Sequence, residues 1–156
     1  MTSDETRRLE ELITVVVNLD HVAETITVNM ISIGRERLEK RFVISQETIG
    51  RFQPYAARVR EAYLLALKAL DSRDAGPAAA VVEMKAEVDR MSEEIVEHLS
   101  ARLLSDAPDR AVLYRVESHL VELIQRIYYF SRMIAGEILK ESQAAGEDKA
   151  GYRMAS

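Results

Sequence analysis

The chain has 156 residues, 47% hydrophobic and 30% charged, which is too apolar for a disordered segment and sufficient for one domain with a single core. It contains no cysteine, which excludes disulfides, thiolate metal sites and cysteine nucleophiles. Its net charge of −5, with the signs interspersed, argues against a general affinity for nucleic acid, because phosphate binding needs clustered Lys and Arg.

No window approaches the roughly 20 apolar residues that cross a bilayer, and the opening Met1 to Arg8 lacks the hydrophobic core of a signal peptide. The expectation is a soluble, cytoplasmic chain that does not insert into a membrane. Where it works at the inner face of one, another chain or a linked domain would supply the span.

In chain order, the first pattern is a helix from about Arg7 to Lys40. Leu9, Leu12, Val16, Leu19, Ala23, Ile26, Met30 and Ile33 alternate in threes and fours, a seam of coiled-coil type. Ile13, Val15, Val17, Val22, Val28 and Ile31 widen it, so this helix should meet two or more neighbours. The run from Arg35 to Arg41 closes it in charge and reads as a solvated last turn.

Ser45 is the expected N-cap of a second helix beginning near Gln46, with Ile44 and Ile49 placed as a hydrophobic staple. Its stripe is Phe52, Ala56, Val59, Tyr63, Ala66 and Leu70, and Gly50 and Pro54 predict a kink or a frayed start. Turn residues from Asp71 to Pro77 follow, with Pro77 suited to a first helical position. The third helix buries Val81, Met84, Val88, Met91, Ile95, Leu99 and Leu103. Its other side, Glu83, Glu87, Asp89, Glu93, Glu94 and Glu97, reads as solvated.

Asp106 is the expected cap of a long fourth helix whose seam is Leu113, Val116, Leu120, Leu123, Ile127, Phe130, Ile134 and Ile138. Four helices with short links and no strand pattern predict an all-α, antiparallel up-down four-helix bundle over 1–141, with a flexible tail over 142–156.

The stretch Leu19-Asp20-His21-Val22-Ala23-Glu24-Thr25-Ile26 resembles the repeated L-E-R-I-G-D signature of PhoU-like proteins, with Asp20 in the place of Glu and Glu24 in the place of Asp. The helix order, together with Ile44-Ser45, Lys68-Ala69-Leu70-Asp71 and the segment Glu94 to Leu103, is similar to the PhoU-like region at the cytoplasmic end of sodium/phosphate cotransporters. The resemblance covers about residues 7 to 141. It aligns the chain with the last helix of a first three-helix repeat and the whole of a second. A second motif falls at Ile124-Gln125-Arg126-Ile127-Tyr128-Tyr129, where Gln125 and Tyr129 stand in place of both carboxylates.

In the family these acidic motifs bind metal, so the resemblance makes Asp20 and Glu24 candidate ligands of a divalent or iron-type ion. The two lie one helical turn apart and supply at most two side chains of a hard-cation shell. Waters, His21, Glu117, Glu122 or a symmetry mate would have to complete it. The plainer meaning is a pair of exposed acids, facing Arg126 or Arg132, with His21 at the edge of the core and Tyr128 and Tyr129 as packing residues. No catalytic motif is present, neither a phosphate loop nor the paired Glu-x-x-His of di-metal bundles.

The reading is a non-catalytic regulatory or interaction domain linked to phosphate transport. Its expected partners are a second copy, as a homodimer, and a membrane transporter or covalently linked transporter domain. The alternative is a metal-binding helical bundle with storage or hydrolytic activity.

Overall fold

A computed structural model describes residues 2–104 and 109–154, and every element among them is helical. Helix α1 (Ser3–Glu24) runs through one π-helical segment (Thr25–Met30) into α2 (Ile31–Glu39), forming the first rod. Helix α3 (Gln46–Ser72) is the second rod, α4 (Ala75–Glu83) and α5 (Lys85–Leu103) form the third, and α6 (Arg110–Met154) is the fourth. Contacts between chain-distant residues give the directions. His21 meets Phe130, Tyr55 meets Val121, Tyr128 meets Val81, and Thr48 meets His98. Successive rods therefore run antiparallel, the up-down order expected.

Local signals start the helices. Thr2 and Glu5 form a capping box at α1, the Thr2 hydroxyl accepting from the Glu5 amide and the Glu5 carboxylate from the Thr2 amide. Ser45 caps α3 by accepting from the Thr48 amide, as its position predicts. Helix α3 carries Pro54 without interruption. Asp74 caps α4 by accepting from the Gly76 amide at 2.8 Å, so the helix begins at Ala75 and Pro77 sits two residues further in than expected. The expected cap Asp106 lies outside the described residues. Helical backbone continues past Glu141 to Met154, beyond the sequence-based boundary at 141.

The core is built on α6. Leu123, Ile124, Ile127, Tyr128, Ile134, Ala135 and Ile138 are buried there, against Phe52, Tyr55, Val59, Ala62, Ala66 and Ala69 of α3 and Val81, Met84, Val88, Ile95 and Leu99 of the third rod. Three alanines on one line of α3 let its backbone come close to the facing helices. The third rod is interrupted at Met84, a buried residue with ψ near −10°, where α4 hands over to α5.

The first rod departs from expectation. Its buried residues are Val15, Asn18, Val22, Thr25 and Ile33, whereas Leu9, Leu12, Val16 and Ile26 of the predicted seam are exposed. The helix is apolar almost all round, so spacing alone does not say which edge meets a neighbour. The rod packs chiefly along α6, which selects the line through Val22. The π segment takes up an extra residue in its wider turn. The line of burial then passes from Thr25 to Ile33, which packs with Val116 and Leu123.

Replacing Leu123, 1% exposed, by alanine is expected to lower the unfolding free energy by about 2–5 kcal/mol. Val17→Ala, at a position 46% exposed, should change it by less than about 0.5 kcal/mol. Urea unfolding of the two variants measures the contrast, and equal losses would refute the assignment of the α1 face.

Candidate functional site

Asp20 and Glu24 project from the solvent side of α1, one turn apart and both exposed, immediately before the π segment. Neither forms an ion pair with Arg126 or Arg132 among the described residues. His21, between them, stacks on Phe130 of α6 with ring centroids 4.7 Å apart, and Tyr129 meets the same ring edge-on. His21 is thus an edge-of-core ring, and Tyr129 remains half exposed. Among the described residues no three His, Asp or Glu side chains gather in a way that could hold a metal ion. Glu117 is buried and engaged elsewhere, so it does not complete a shell with Asp20 and Glu24. Asp20 and Glu24 thus stand as two carboxylates, and a hard cation held there would take the rest of its oxygen shell from water.

The second motif stretch is structural. Gln125 donates to the Asp89 carboxylate at 3.1 Å, tying α6 to α5. Tyr128 is buried and donates to the Val81 carbonyl at 2.8 Å; burial pushes its hydroxyl up to about 12. Tyr55 donates to the Val121 carbonyl at 3.5 Å, and burial raises it further still. Asp89, expected on a solvated face, is held by Gln125 and Lys85 instead.

The most developed polar cluster was not foreseen. It lies where the start of α3, the end of α5 and the first turns of α6 meet. Thr48 is fully buried and its hydroxyl bonds to Ser45, to the His98 ring at 3.1 Å and to the Arg102 guanidinium. Glu117, also buried, lies 4.0 Å from Arg102. Burial raises the Glu117 carboxyl above its ordinary range, with Arg102 and Arg110 pulling the other way. Burial likewise lowers His98, aided by Arg51 and Arg102 and opposed by Glu47, which sits 3.4 Å from its ring. The cluster pins the register of three rods. The only trace of it in sequence is Ser45-x-x-Thr48, which reads as an ordinary cap.

Four antiparallel rods whose strongest polar contacts lock helix to helix define a helical-bundle domain. The PhoU domain model matches residues 54–135, just over half of the chain, and the chain belongs to that family. Family membership implies a role in the regulation of phosphate transport, since the domain is generally regulatory and non-catalytic. The match spans α3 from Pro54, all of α4 and α5, and α6 to Ala135. Helix α1, with Asp20 and Glu24, lies outside it, and no finding ties the chain to the sodium/phosphate cotransporters in particular. No curated protein and no solved structure matches the chain. Among the described residues no helix is long and apolar enough to cross a membrane.

Thr48→Val keeps the shape but removes the hydroxyl that His98 and Arg102 share. It should cost about 1–3 kcal/mol, because buried polar groups are left unmatched. Asp20→Ala and Glu24→Ala, on the open face, should each stay within about 0.5 kcal/mol of the parent. Thermal and urea unfolding of the three variants check the ranking.

Proposed function

We propose that this chain is a non-catalytic regulatory domain of phosphate transport that acts by docking through the open face of α1, first onto a second copy of itself. Family membership supports the regulatory part. The observation that supports docking is that Leu9, Leu12, Val16, Ala23 and Ile26, spaced in threes and fours, are all exposed. Contiguous apolar surface of this kind marks interaction sites.

The seam is also self-complementary. Laid antiparallel on a copy of itself, with the midpoint between Val17 and Asn18, it sets Leu9 against Ile26, Leu12 against Ala23 and Val16 against the partly buried Leu19. Each pair joins alternating seam positions, the geometry in which helices interlock. A transporter surface is the competing occupant of the same face. Docking of this kind does not require a metal at Asp20 and Glu24.

Sedimentation equilibrium should show a dimer that Val16→Glu converts to a monomer of unchanged helicity. Because the chain has no cysteine, single replacements give clean crosslinks. Val16→Cys should form a disulfide-linked dimer and Leu9→Cys should not, its two copies lying about 25 Å apart along the helix. In the host, both deletion and Val16→Glu should alter the response of phosphate uptake to external phosphate. Uptake unchanged by deletion would sink the regulatory reading. A monomer whose Val16→Glu variant still alters uptake would assign the face to a transporter instead. Dissociation by EDTA, or by Asp20→Ala, would favour the metal-binding alternative.

A further inference from the structure

One end of the bundle carries apolar side chains that no neighbour covers. There the first rod ends, α3 begins, α5 ends and α6 begins, brought together by the Glu36 and Arg115 pair and by the bond between Thr48 and His98. Leu38 is 77% exposed, Val43 80% and Leu104 87%, the three most exposed large hydrophobic residues among those described. Phe42 packs against the Ile33 cluster and anchors the link after α2, which leaves Val43 outside. The three stand on separate elements, at the end of α2, in the link that follows and at the end of α5. They form no continuous seam for a partner helix, and they suit a soft surface that closes around each of them.

The first link is also basic, in a chain that is acidic overall. Arg35, Arg37, Lys40 and Arg41 are all exposed. Of the two acids among them, Glu36 is held by Lys40 and Arg115, which leaves Glu39. Four basic residues against two acidic give the stretch 35–43 a charge of +2, where the whole chain has −5. On the other side of this end Arg102, Arg110 and Arg115 balance Asp106, Asp109 and Glu117, so the excess belongs to the first link.

Arg41 adds a conformational signal. Its φ is 54°, its amide donates to the Leu38 carbonyl, and the Phe42 amide donates to the Arg37 carbonyl. This is the helix-ending turn whose left-handed position favours glycine, because a Cβ is disfavoured there. Arg73, in the same conformation at the end of α3, spends its charge on Glu141. Arg41 forms no ion pair among the described residues. The turn by itself gives no reason for an arginine, so its exposed charge points outward to a ligand.

We propose that this end of the bundle docks on a membrane surface rich in anionic lipid. Leu38, Val43 and Leu104 enter the boundary between headgroups and acyl chains, and Arg35, Arg37, Lys40 and Arg41 lie against the lipid phosphates. Shallow apolar insertion and attraction of basic residues to anionic lipid both add to such binding. No spanning helix is needed, and none is present among the described residues. The surface is separate from the α1 seam, so it does not depend on the dimer.

Flotation of the intact chain with lipid vesicles tests this. The chain should bind vesicles of phosphatidylcholine and phosphatidylglycerol in equal parts but not phosphatidylcholine alone, and binding should weaken as added salt shortens the Debye length. Arg41→Gly should lower the partition constant about fivefold, the share of one basic residue at such a surface. Glycine suits the left-handed backbone, so this variant loses charge without losing the fold. Val43→Ser should lower the constant about tenfold. Val16→Glu should bind like the parent, because an antiparallel pairing through α1 points the two basic ends apart and sets only one on any vesicle. Failure to bind the anionic vesicles would overturn the proposal and leave this end to a protein partner. Equal binding to neutral vesicles would overturn it too. So would binding that neither Arg41→Gly nor Val43→Ser weakens, which would move the contact to another face.

Discussion

The packing of α6 against every other rod is the constraint on which the structure depends. Its buried line from Val116 to Ile138 touches the first rod, α3, α4 and α5. Ser131 and Ala135 are small and fully buried, and the Ser131 hydroxyl bonds back to the Ile127 carbonyl rather than reaching for a neighbour. Close approach of helices is possible only where side chains are this short. The three alanines of α3 serve the same purpose from the facing side. The family match follows this arrangement, covering the three-rod unit around α6 and stopping short of α1.

Helix α1 is in a different position. It has one principal neighbour, which it meets along a polar cleft at one end, a His21 and Phe130 stack in the middle and, through α2, the Ile33 cluster at the other. A π segment interrupts the rod between the second and third of these. Single π turns are tolerated where the surroundings compensate, and they often accompany functional surfaces. Here the segment lets one rod satisfy two separate hydrophobic contacts while leaving a long apolar edge uncovered. A helix held on one side by α6 and bare on the other is suited to carrying an interface, and its grip on α6 sets how rigidly that interface is presented.

The buried cluster of Thr48, His98, Arg102 and Glu117 plays the complementary part at the other end of the bundle. Buried charges in such a network do not add stability in proportion to their number, because desolvation offsets most of the attraction. What they specify is register: a shift of α5 by one turn would part Thr48 from His98 and Arg102, and Arg102 from Glu117. The tie between Gln125 and Asp89 does the same in the middle of the bundle. At this second motif the family's carboxylates are absent, and the residues standing there lock α5 to α6 instead.

Much of this was legible in the sequence. Periodicity located all four rods, Ser45 marked the start of α3, and the buried lines of the third rod and of α6 follow the spacing of Val81 to Leu99 and Val116 to Ile138. Helical propensity, caps and amphipathic spacing are local properties, so sequence determines them by itself. Which side of α1 is buried was not local. Leu9, Leu12 and Val16 are as apolar as Val15 and Val22, and only the position of α6 separates the two sets. The same holds for Arg73 and Glu141 and for Thr48 and His98, since a pairing across rods depends on where the tertiary packing sets each helix. Sequence determined that this chain is a bundle of four helical rods; only the tertiary structure decided which apolar face of the first rod is left open, because that face is set by where α6 lies.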